Sequence, residues 1–146
     1  MRAIAIAVVI GAACHAGPPS PDASTAFCTD RAPLAPTYAN VQKLFSNGCT
    51  VCHQPGVELV LAPATSYANL VGQPAVNYSS PMVDESCGGV LVTPSDPDHS
   101  YLYLKLATTP CAGSQMPLDD IGNSEPLAPC ALALVHDWIA AGAPND

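Results

Sequence analysis

The sequence predicts an all-α domain of three to five short helices, long loops between them and at most one minor two-stranded pairing. Three observations carry this. Sixteen prolines and ten glycines in 146 residues interrupt the chain too often for long elements. Two stretches place apolar side chains on one face at helical spacing: Tyr38, Val41, Leu44 and Phe45, and, close to the end, Leu134, Val135, Trp138 and Ile139. Between them, Asp96-Pro97-Asp98 has the form of a helix start, with a capping acid, a proline at the first helical position and an acid in the first turn. The length suits one domain.

In chain order, residues 1–14 read as a signal segment. Arg2 supplies a small positive region, and Ala3 to Ala13 is apolar but too short to span a bilayer. Gly11-Ala12-Ala13-Cys14 resembles a bacterial lipobox, which would make Cys14 the lipidated first residue of the mature chain, although Gly11 stands where leucine is usual. An ordinary signal peptide cleaved beyond Cys14 is the other reading. Residues 15–36 hold five prolines among small polar residues and read as a flexible tether, with Cys28 in it. Residues 37–146 are the folded domain. Thr37 caps the first helix, and Gly48 suggests a close backbone approach after it. Val57 to Leu61 reads as a short strand with Val90-Leu91-Val92 as its partner, and Ser66 to Val71 as a weak helix. Tyr101 to Leu106 follows the Asp96 start. A long loop with Met116-Pro117 leads to a last helix from about Leu127–Cys130 to Ala141, where Gly142 suits the position past the helix end and Pro144 prevents continuation.

The chemistry is concentrated in Cys49-Thr50-Val51-Cys52-His53. Cys-x-x-Cys-His is the attachment signature of a c-type haem. Two thiols three positions apart can add to two vinyl groups along one porphyrin edge, and the adjacent histidine can then ligate the iron. A thioredoxin-like pair would sit in a βαβ pattern, which is absent around it. A zinc site would need a second Cys or His pair, and the remaining cysteines are scattered singly.

With these residues in hand, the chain resembles a small class I-type cytochrome c, close to the single-haem envelope domains of planctomycetes and myxobacteria. The resemblance is carried by Cys49 to His53, by Thr93-Pro94-Ser95-Asp96-Pro97-Asp98-His99-Ser100-Tyr101-Leu102, by Met116-Pro117 and by Trp138-Ile139-Ala140-Ala141-Gly142-Ala143. It implies a class I cytochrome c-like fold and one covalent haem c bound by Cys49, Cys52 and His53. It also implies a crossing of the first and last helices, with Phe45 and Trp138 as the packed aromatics. Met116, in Gly-x-x-Met-Pro, resembles the methionine loop of that family, and is the expected distal ligand opposite His53. A lone methionine is otherwise a flexible core filler. Met82 lacks that context, and His99 and His136 are the bis-histidine alternatives.

With Cys14 lipidated and Cys49 and Cys52 on haem, Cys28, Cys87, Cys111 and Cys130 are left for two disulfides with three possible connectivities. The favoured one is Cys111–Cys130, closing the methionine loop against the last helix, with Cys28–Cys87 as the other bridge. A formal charge of −8 argues against a nucleic-acid partner and favours a redox protein with a basic docking surface. The expected role is an electron carrier rather than an enzyme, held to the membrane of the bacterial cell envelope through its lipid. The alternatives are a sensing or peroxide-reactive haem protein with a labile distal ligand, and a haem-stapled interaction module.

Overall fold

A computed structural model describes residues 34–75, 87–107, 113–119 and 121–146. The segments around Cys14, Cys28, Met82 and Cys111 lie outside the described residues, and with them the lipidation and both expected disulfide pairings; Cys87 and Cys130 are each engaged in a disulfide.

The described residues form four α-helices: α1 (Tyr38–Ser46), α2 (Ser66–Leu70), α3 (Tyr101–Ala107) and α4 (Pro129–Ala140), with short 3₁₀ turns at Cys49–Val51 and Pro97–His99. No sheet forms among the described residues, only isolated bridges. No described helix is long and apolar enough to cross a membrane.

Helix α1 starts at Thr37, whose hydroxyl accepts the Asn40 N–H at 3.3 Å. Its N-terminal amides are also taken by Asp146: the Tyr38 N–H donates to Oδ1 at 2.8 Å and the Ala39 N–H to the backbone carbonyl. Tyr38, Val41, Leu44 and Phe45 face inward and α1 packs on α4, which buries Leu134, Val135, Trp138 and Ile139. Phe45 and Trp138 are both fully buried in one apolar cluster. The Tyr38 ring lies tilted against Trp138, with centroids 5.4 Å apart and planes at 39°. The indole N–H donates to the Pro144 carbonyl at 2.9 Å.

Helix α4 ends in a Schellman motif. The Gly142 N–H reaches Ile139 O and the Ala143 N–H reaches Trp138 O, both at 2.9 Å, and Gly142 has the φ of 98° that this turn demands.

Asp96 caps as expected, accepting the His99 N–H, but the helix it starts stops after one turn. Ser100, fully buried and extended, separates it from α3. Its hydroxyl donates to Asp96 O at 2.7 Å and accepts the Thr93 N–H at 2.9 Å. The Ser95 N–H bonds Ile139 O, tying this corner to α4.

Two expectations are corrected. Val57 to Leu61 does not pair with Val90 to Val92. The latter forms bridges with Val71 and Pro74 instead. The reason is that residues 59–61 spend their carbonyls on side chains: Leu59 O accepts from His53, Val60 O from Asn69 and Leu61 O from Gln42. Gly48 meets no close neighbour, since a Cβ built there would find nothing within 4 Å.

Candidate functional site

The Cys49–Val51 turn follows α1 after two residues, and the His53 N–H donates to Cys49 O at 2.8 Å, so the two cysteines and the histidine share one tight bend. Neither Cys49 nor Cys52 is in a disulfide. Cys49 packs against the main apolar cluster. Burial pushes its thiol up to about 11, its own backbone N–H opposing this and Cys52 adding to it.

His53 is gripped twice by the segment that follows it. Its carbonyl accepts the Leu61 N–H at 2.9 Å, and its Nδ1 lies 3.0 Å from Leu59 O. A carbonyl only accepts, so Nδ1 carries the proton in this contact and neutral His53 keeps its lone pair on Nε2. A ligating histidine is commonly held in this way, with its second nitrogen fixing ring and tautomer. Nothing in the sequence marks Leu59 for this role, since every peptide nearby offers the same backbone carbonyl.

Met116 packs, half-buried, against the same cluster as Cys49 and Leu59. Its loop folds back on the end of α3. The Met116 N–H donates to Lys105 O and the Gln115 side-chain amide to Leu106 O, each at 2.9 Å, filling two carbonyls that a helix end leaves open. Gly113 turns with a φ of 70°. Beyond Met116, the Glu125 N–H closes on Pro117 O. Asp119 accepts the Ile121 and Asn123 amides and the Asn123 side chain, and these bonds hold its carboxyl below the usual range.

The bis-histidine alternatives are each paired with a carboxylate. His99 is exposed and its Nδ1 sits 2.9 Å from Asp96 Oδ2. His136 pairs with Asp137 at 2.9 Å and rests edge-on against Tyr103, 5.2 Å between centroids. Among the described residues no three of His, Cys, Asp or Glu converge as a metal-binding cluster.

Haem c fits the donor set: two thiols outside disulfides, a histidine with its Nε2 lone pair available, and a thioether on the same apolar cluster. Comparisons with family models, curated proteins and solved structures find no match for the chain. The functional reading therefore rests on the site's own chemistry.

Proposed function

We propose that the chain is a single-haem, class I-type c cytochrome that carries electrons in the bacterial cell envelope. Cys49 and Cys52 would hold the haem through thioethers, and His53 Nε2 and Met116 Sδ would be the donors to its iron. The observation that carries the reading is the His53 Nδ1–Leu59 O bond inside a Cys-x-x-Cys-His turn whose cysteines are outside disulfides. Haem supplies the one-electron chemistry.

The protein's part is to hold and to tune. His53 is oriented by Leu59 O, which also strengthens its donation. Met116, a soft ligand, favours the reduced iron and raises the potential. Two protein ligands leave no position for substrate, which suits a carrier. Lipidation at Cys14 and the 15–36 tether would keep the domain at a membrane surface. After removal of residues 1–13, Arg31, Lys43 and Lys105 face twelve acidic residues, so the partner presents a basic docking surface.

Visible spectra of the purified protein test this. The ferric form is expected to be low-spin with the weak red absorption of a methionine–iron bond. A high-spin ferric form that binds cyanide freely would reject Met116 as ligand and favour the sensing or peroxide-reactive reading.

A further inference from the structure

The 59–61 segment is unusual in giving three consecutive carbonyls to three side chains. Leu59 O accepts from His53 Nδ1 at 3.0 Å, Val60 O from Asn69 Nδ2 at 2.8 Å and Leu61 O from Gln42 Nε2 at 3.1 Å. Its Leu61 N–H returns to His53 O. The segment therefore acts as a shelf under the histidine, and the shelf is suspended from two helices.

Both donors sit on fixed elements. Asn69 belongs to α2, where Ser66 and Leu70 are fully buried and the Tyr67 hydroxyl donates to Ala143 O at 2.9 Å. Gln42 lies on α1, and its Oε1 accepts from the Tyr38 and Ser66 hydroxyls, so the amide is held with its N–H toward Leu61. An unsupported loop carbonyl would wander and weaken the bond to Nδ1. Two side-chain amides pin the peptides on its C-terminal side instead.

We propose that Asn69 and Gln42 are positioning residues for His53: by pinning the Val60 and Leu61 carbonyls they hold Leu59 O on Nδ1, fixing the tautomer and basicity of the histidine. The proposal rests on the haem reading only for its effect on potential; its effect on the His53 ring stands without it. A weaker bond at Nδ1 makes His53 a poorer donor, which destabilises the ferric state, so loss of either amide raises the reduction potential.

The test uses the full-length exported protein, parent and Asn69→Leu, with Gln42→Leu as the independent second variant. In the reduced protein, NMR follows solvent exchange of the His53 Nδ1 proton. Loss of one supporting hydrogen bond is expected to speed this exchange roughly fivefold, and the potential should rise in both variants. If the chain proves to carry no haem, the ring ¹⁵N shifts of His53 still report the tautomer. The shelf then predicts Nδ1–H in the parent and a shift toward Nε2–H in Asn69→Leu. Should Asn69→Leu fail to fold, Asn69→Ala and Gln42→Leu carry the same comparison. Unchanged ring exchange, tautomer and potential in folded variants that have lost only thermal stability would overturn the proposal and leave both amides as packing residues.

Discussion

Replacing Trp138 by phenylalanine isolates what the crossing of α1 and α4 contributes. The indole is fully buried, packs at a tilt against Tyr38 and donates to the Pro144 carbonyl at 2.9 Å. Phenylalanine keeps an aromatic face but loses the donor, a net hydrogen bond of about 1 kcal/mol. The smaller ring also leaves a void of roughly one methylene, for about another 1 kcal/mol. Together they give a loss of about 2 kcal/mol, whereas Trp138→Ala should cost about 3–5 kcal/mol, a large part of the stability of a small domain. Trp138 is the single tryptophan, so tryptophan fluorescence disappears with it; urea unfolding followed by far-ultraviolet circular dichroism serves instead. With a urea slope of about 1–2 kcal/mol/M, Trp138→Phe should lower the midpoint by about 1–2 M at unchanged slope. A midpoint within a few tenths molar of the parent would refute the packing and hydrogen bond assigned to this residue.

Met116→Ala should abolish the red band, open the iron to cyanide and carbon monoxide and lower the potential, with the fold retained; a variant spectroscopically identical to the parent would mean Met116 never ligated. Asp119 is held below its ordinary titration range, so its contribution to the turn after Met116 is present above pH ~4 and lost as pH falls through the depressed folded value. NMR protection of the Asn123 amide should fall over that acid range in the parent, and Asp119→Asn should remove this dependence. Trypsin cuts only after the four basic residues, so non-reduced mapping of the exported protein should give a Leu106–Asp146 peptide with an internal Cys111–Cys130 bridge, and Cys28 joined to Leu44–Lys105 through Cys87. A Leu106–Asp146 peptide linked to either of the others would require a different connectivity.

The parts legible in the sequence were those encoded locally. Thr37, Asp96, Gly142 and the apolar stripes of α1 and α4 act within a turn or two of themselves, and spacing reveals such roles. Cys49, Cys52 and His53 are near neighbours in the chain, and the structure keeps them in one tight bend. Residues 57–61 misled because a short apolar run looks like a strand whenever its hydrogen-bond partners are unknown. Here the partners were His53, Asn69 and Gln42. The interruption at Ser100 and the docking of Gln115 and Met116 on α3 depend likewise on contacts that periodicity does not report. The two aromatics implied by the resemblance, Phe45 and Trp138, are both buried in one cluster, and Tyr38 adds a ring against Trp138 that helical spacing does not report.

Mass spectrometry of the reduced tryptic Leu44–Lys105 peptide tests the central claim most directly. This peptide contains Cys49, Cys52 and His53, with Cys87 as its third cysteine. The expected result is one haem attached through both Cys49 and Cys52, with Cys87 alone available to alkylation after reduction. A peptide of unmodified mass, alkylated at all three cysteines, would contradict it.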